Sequence, residues 1–321
     1  MAASTESVRL GIDLGGTKIE IAALAADGSE LLRRREASPA NDYPATIAAI
    51  ARLVTAAESE LGLRATVGIG IPGSESPSSG LIRNANSTCL NGRALRHDIE
   101  HALGRTVRIA NDANCLAMSE AGDGAGAGFD TVFAVILGTG VGGGLAVNGR
   151  VLLGANAIAG EWGHNPLPAP RGAELPGPRC YCGRINCIET WLSGPGLAAD
   201  HARHGGSPAS PEAIVAAARA GESSARSSLA RYGERLARSL ATVINIFDPD
   251  AIVLAGGLSN IDELYEDVPR HWGAQVFSDR VDTRLLRSRH GDSSGVRGAA
   301  WLWPVAATGF VSGSGPGRGV G

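Results

Sequence analysis

With 321 residues, 44% hydrophobic content and a formal net charge of -3, the chain is long enough to bury a large core and to form two domains. The mild acidity argues against nucleic acid or anionic membrane as the main partner, because both reward a basic patch. No apolar run approaches membrane-spanning length and Met1 to Ser7 shows no charged-then-apolar leader, so a cytoplasmic protein is expected.

Val8 to Asp13 is a short apolar run that ends in Leu14-Gly15-Gly16-Thr17-Lys18 and resumes as Ile19 to Leu24. This reads as a hairpin, followed by an Asp27-Gly28 turn and a third strand from Glu30 to Arg35. Gly15 and Gly16 let backbone N–H groups approach an anion, and Thr17 and Lys18 add a hydroxyl and a positive charge. The plain alternative is a simple turn, since no GxxxxGK[ST] loop is present. Lys18 is the only lysine beside 28 arginines, which suits a phosphate-facing point charge.

Asn41 to Leu61 carries Ile47, Ile50, Val54, Ala57 and Leu61 at helical spacing behind Pro44, so an amphipathic helix is expected. Thr66 to Ile71 reads as a buried strand, and Pro72-Gly73 opens a polar loop to Gly92 that includes Asn84, Asn86 and Asn91. Loops of that length tend to bind something. A helix from Arg93 to Leu103 and a strand from Thr106 to Ala110 lead to Asn111-Asp112, which opens the next helix. Asp112 is either an N-cap or a carboxylate at a strand's carboxyl end, facing the crevice where α/β sheets bind ligands. In the second role it could act as a general base whose pKa the helix N-terminus holds low.

Thr131 to Leu137, a glycine turn from Gly138 through Thr139 and Gly140 to Gly144, Leu145 to Val147 and an Asn148-Gly149 turn repeat the N-terminal plan. The chain therefore reads as internally duplicated. Two such glycine hairpins facing each other would clamp a polyphosphate. Further on, Glu161-Trp162-Gly163-His164 precedes Cys180, Cys182 and Cys187, three of five cysteines within eight residues. With His164 they make a soft donor set for one tetrahedral zinc, structural because four protein ligands leave no open position. Glu161, His164 and Glu189 then form a polar cluster on that loop, and the second imidazole nitrogen is free to meet a ligand hydroxyl. Ala225 to Phe247 reads as a long helix and Ala251 to Ala255 as a buried strand. It ends in Gly256-Gly257, where a nucleobase or ribose could approach the backbone, or a helix simply starts. Pro304 to Gly321 reads as a disordered tail.

Together, Asp13 to Lys18, Asn111-Asp112-Ala113-Asn114, Leu137 to Gly144, Glu161 to His164 and the CxCGxxxCxE run resemble the ROK family of sugar kinases and repressors over nearly the whole chain. Asn84 to Thr88, His164 to Pro168 and His290 to Gly298 are similar to bacterial fructokinases of the mannofructokinase type. The resemblance implies an α/β, actin-like (ribonuclease H-like) ATPase fold: two domains around a cleft, with a structural zinc loop. The smaller domain would be 1–114, completed by a C-terminal helix at about 290–304; the larger would be 115–289 with zinc loop 164–187, and 305–321 the tail. It implies ATP-dependent phosphorylation of the 6-hydroxyl of D-fructose, with N-acetylglucosamine, glucose and mannose kinases as alternatives.

In that frame Asp112 is the base, and Gly73, Asn86, Asn111, Glu161, His164 and Glu189 hold the sugar. Asp13 sits near Mg2+; Gly15, Gly16, Thr17, Lys18, Gly138, Thr139, Gly140, Gly256 and Gly257 contact ATP; and His164, Cys180, Cys182 and Cys187 bind Zn2+. A homodimer is implied. Asn186 stands where the family has glycine, and asparagine tolerates the left-handed backbone such a position takes. The span of 15 residues between His164 and Cys180 is long for the family. A sugar-sensing repressor would need a DNA-binding segment, and only twelve residues precede Asp13; an actin-like filament would not explain the cysteine loop.

Overall fold

In the computed structural model residues 8–39 and 41–303 are described; the expected tail at 305–321 lies outside them. The chain opens with an antiparallel meander, β1 (Arg9–Leu14), β2 (Lys18–Leu24) and β3 (Glu30–Ala37). Helix α1 (Tyr43–Leu61) is capped by the Asp42 side chain, carries Pro44 in its first turn and stops at Gly62 in the left-handed region. It returns the chain to β4 (Thr66–Ile71), parallel to β1. A small hairpin, β5 (Ser74–Glu75) and β6 (Ile82–Arg83), and α2 (Leu95–Leu103) lead to β7 (Arg108–Asn111), parallel to β4. The sheet order is β3-β2-β1-β4-β7.

After α3 (Asp112–Gly122) the same plan recurs. β8 (Thr131–Leu137), β9 (Val141–Val147) and β10 (Arg150–Val151) form a second antiparallel meander. A long excursion follows through α4 (Glu189–Leu192), α5 (Gly194–Arg203), α6 (Pro211–Arg219) and α7 (Ser223–Phe247). Next come β11 (Ala251–Ala255), α8 (Leu264–Trp272) and β12 (Arg284–Arg287). The second sheet runs β10-β9-β8-β11-β12, with β8, β11 and β12 mutually parallel. Order and strand sense match the first sheet position for position, so the duplication expected from the glycine hairpins is present in the fold.

Each sheet has its own apolar core. Leu10, Ile12, Ile19, Ile21, Ile50 and Val67 fill the first, and Val135, Leu137, Trp191, Leu236, Ile252 and Leu254 the second. Between the sheets lie α3, packed on β8 and β9, and α9 (Ser294–Trp301), packed on β1 and β4, with the two helices against each other. Backbones meet here at glycine. A Cβ on Gly11 would collide with the Val296 carbonyl, one on Gly68 with that of Ala299, and one on Gly298 with that of Cys115.

The glycine run 138–144 departs from the turn expected of it. Only Gly138 to Gly140 turn; Gly142, Gly143 and Gly144 are in β9. They are glycine because α3 and the turn after Gly160 press on the strand: a Cβ on Gly144 would meet the Ala113 carbonyl, and one on Gly143 would lie 2.8 Å from the Trp162 ring. The first unit's loop to Gly92 is more ordered than its composition suggests. Asn91 clamps it, accepting from Ala85 N–H and donating to the Ala85 carbonyl at 2.9 Å each.

Candidate active site

The carboxyl ends of the parallel strands carry the expected residues. Asp13 is one residue from the end of β1, opposite Glu20 on β2. Glu20 is buried although strand alternation places it on the face opposite the core residues Ile19 and Ile21: it shares that face with Lys18 and is held by Arg33 and by Arg35 Nε at 2.9 Å. Lys18 Nζ is 3.9 Å from the same carboxylate, so it is one of three cations around Glu20 rather than an isolated charge. Burial raises the Asp13 pKa, with the Glu20 and Asp112 carboxylates adding to it and Lys18 opposing. Asp13 thus feels two other carboxylates, a repulsion that a divalent cation at Asp13 would relieve, and its oxygen donors suit Mg2+.

Asp112 follows β7 directly. Asn111 caps α3, its Oδ1 accepting from Asn114 N–H at 2.8 Å, so Asp112 is not the cap and its carboxyl is free for other use. Its carboxyl accepts from Ala113 N–H at 2.8 Å. The expectation of a low pKa is corrected: burial by the surrounding protein raises it, and the Ala113 hydrogen bond only partly opposes this. Asp112 keeps exposed surface because it faces an opening, yet the protein mass around it withholds the solvation that would favour the anion.

Each glycine turn is set among neighbours of its own half. Gly15 N–H donates to the Lys18 carbonyl at 2.9 Å, and Gly16 leans on Ser87, beside the exposed Asn86. Gly73, at φ 76°, fits against Arg83 and Ala85 where a Cβ would clash, which places it next to Asn86. In the second sheet Gly138 N–H donates to the Gly140 carbonyl at 3.0 Å, and Thr139 is exposed at the tip. Gly256, at φ 84°, sits against the end of β8 with Gly257 behind it. Sequence reasoning missed one link: Glu189 Oε2 accepts from Val141 N–H at 2.9 Å. That bond ties the cysteine loop to the glycine turn.

Glu161 precedes a single 3-10 turn, Trp162–His164. Trp162 pins it, donating through Nε1 to the Gly142 carbonyl at 3.0 Å and standing edge-on to Phe133. The donor atoms of His164, Cys180, Cys182 and Cys187 all lie within 4.8 Å of one another. Cys182 and Cys187 Sγ are 3.6 Å apart, and Cys180 Sγ is 3.6 Å from His164 Nδ1. A tetrahedron with Zn–S of about 2.3 Å has edges of about 3.8 Å, so the quartet fits zinc. Burial and the neighbouring sulfurs push the Cys187 thiol up to about 12; a bound cation would supply the compensating charge. Asn186 takes φ 64° and accepts from Trp191 Nε1 at 2.6 Å, which explains asparagine there.

The long span before Cys180 is fastened to α7. Arg238 donates to the Pro168 and Ala169 carbonyls at 2.6 and 2.7 Å, and with Arg235 it holds buried Glu174 at 2.8 Å. A surface depression of 650 Å³ near Ile244, Phe277 and Arg284 contains none of these residues.

The sequence profile of the ROK family matches residues 9–306. The chain belongs to the ROK family. N-acetyl-D-glucosamine kinase of Pectobacterium atrosepticum is 39% identical over 296 residues, covering 91% of this chain and 97% of that one. A ROK hexokinase from Thermus thermophilus superposes with a TM-score of 0.81 at 30% identity, covering 92% and 97%. A ROK family glucokinase from Streptomyces griseus, solved with glucose and AMPPNP, gives 0.67 at 27%, covering 92% and 99%. This ROK member therefore has the actin-like sugar kinase fold of the family. The fructose assignment is overturned: relatives covering almost their whole length are N-acetyl-D-glucosamine kinases. The stretches that suggested fructose, Asn84 to Thr88 and His164 to Pro168, lie in a loop clamped by Asn91 and a turn pinned by Trp162. Among the described residues no helix is long and apolar enough to cross a membrane.

Proposed function

We propose that this ROK kinase transfers the γ-phosphoryl group of ATP to the 6-hydroxyl of N-acetyl-D-glucosamine. The 39% identity to enzymes of that name over 97% of their length carries the reading. Asp112 takes the proton from the attacking hydroxyl. A raised pKa makes it a stronger base than an ordinary aspartate, which suits removal of a proton that becomes acidic only as the oxygen attacks. Gly73, Asn86, Asn111, Glu161, His164 and Glu189 hold the sugar. The backbone of Gly15 to Lys18, Gly138 to Gly140 and Gly256-Gly257 holds the nucleotide. Asp13 is placed to hold Mg2+, which when bound neutralises charge on the phosphates. His164, Cys180, Cys182 and Cys187 hold a structural zinc that fixes the loop presenting His164 and Glu189.

The halves about the two sheets act as two domains, 1–114 with α9 and 115–289, that close over the substrates and exclude water, the competing acceptor. A coupled ADP-release assay on N-acetylglucosamine, glucose, mannose and fructose tests the assignment. A kcat/KM for N-acetylglucosamine at least about tenfold above each of the others is expected, since a site built around one polar substituent leaves buried groups unpaired with its analogues. A lead for glucose would instead align the chain with the hexokinase and glucokinase relatives.

A further inference from the structure

Tyr181 stands between two cysteines of the donor cluster, and its side chain does something the cluster does not need. The residue is 83% exposed. Its ring meets the His164 imidazole edge-on with centroids 5.3 Å apart, and its hydroxyl is 3.1 Å from Nε2. His164 Nδ1 faces Cys180 Sγ at 3.6 Å, so Nε2 is the outward edge of the ring. With the Nδ1 lone pair directed at a cation, Nε2 carries the proton and donates it to the phenol oxygen.

We propose that Tyr181 is a positioning residue acting through His164: its hydroxyl occupies the Nε2–H donor until a sugar hydroxyl displaces it. This rests on the sugar-kinase reading above. An imidazole N–H has one proton to donate, so the phenol and the sugar compete for it. Displacement is easy because the exposed phenol regains water as it leaves, and the edge-on contact with His164 is its aromatic packing. While in place the phenol fixes the imidazole orientation, and a sugar lacking a hydroxyl at that point has nothing to displace it with.

Tyr181→Phe keeps the ring and removes the competing oxygen. Sugar KM and the sugar dissociation constant from calorimetry should both fall, by roughly two- to tenfold, the worth of one neutral hydrogen bond. Turnover at saturation, KM for ATP and bound zinc per chain should not move. An unchanged or raised sugar KM overturns the proposal, and so does a loss of zinc, which would make Tyr181 part of the loop's folding. Wild-type protein in the same series separates the two readings. Turnover in wild type with an unmoved KM in the variant sinks the Tyr181 role alone, whereas no turnover of any hexose sinks both.

Discussion

At the scale of single residues, burial and hydrogen bonding compete to set the chemistry of Asp112. The α3 N-terminus and the Ala113 N–H favour the anion, but desolvation outweighs them and the pKa rises. The consequence for stability has a definite sign. A carboxyl whose pKa is higher in the fold than in the unfolded chain stabilises the fold below the ordinary aspartate value, and that contribution is lost as pH rises through the raised value. Above that raised value Asp112 is therefore a cost to stability. Asp112→Asn removes the charge and keeps an oxygen for Ala113 N–H. It should lower turnover by at least about 100-fold, the lower range of general-base contributions, while thermal melting at pH 7 shows equal or higher stability. Preserved turnover would remove Asp112 from the mechanism; a lower melting temperature would contradict the electrostatic reading. The presence of this carboxylate at a strand end was legible in sequence. Its pKa was not, because desolvation depends on mass brought in by distant segments.

At the scale of elements, the cysteine loop was the most legible feature. Short spacing of soft donors is a local property, and the four donors converge as expected. Strands with unbroken apolar runs, such as Thr66–Ile71 and Ala251–Ala255, were equally plain. Gly142 to Gly144 misled because glycine reads as a turn in sequence, whereas here it marks close approach of α3 to β9, a tertiary fact. Helices α5 and α8 begin at Gly-Pro-Gly and contain Pro269 respectively, so local propensity conceals them and packing against α7 decides. The bond from Glu189 to Val141 N–H joins residues 48 apart in the chain and leaves no trace in sequence. With zinc in the proposed site, it also ranks the effects of removing the metal. Graded chelation should weaken sugar binding, measured by calorimetry, before it weakens binding of a nonhydrolysable ATP analogue, because His164 and Glu189 are on the loop itself and the glycine turn is one hydrogen bond away. Equal loss of both would indicate collapse of the whole fold.

At the scale of the molecule, two sheets of one topology lie on either side of α3 and α9, and the candidate residues Asp13 and Asp112 stand at the carboxyl ends of strands in the first. The repeat was visible as two glycine hairpins. The helices between the halves were expected too, one opening at Asn111-Asp112 and one near the C-terminal end, but their close approach was not, since at Gly298 the backbone of α9 lies against the Cys115 carbonyl of α3. Glu120, fully buried at the far end of α3, accepts from Ser288 Oγ at 2.7 Å and Arg289 N–H at 3.1 Å. It thereby fastens α3 to the segment entering α9, so the two helices between the halves share one support. The most direct test of the whole arrangement is a phosphorus NMR spectrum of the protein with ATP, Mg2+ and N-acetyl-D-glucosamine. One new sugar-phosphate signal, coupled to the methylene protons at carbon 6 and growing as the γ-phosphate of ATP declines, is the predicted result. Inorganic phosphate alone, or phosphate on another carbon, would contradict it.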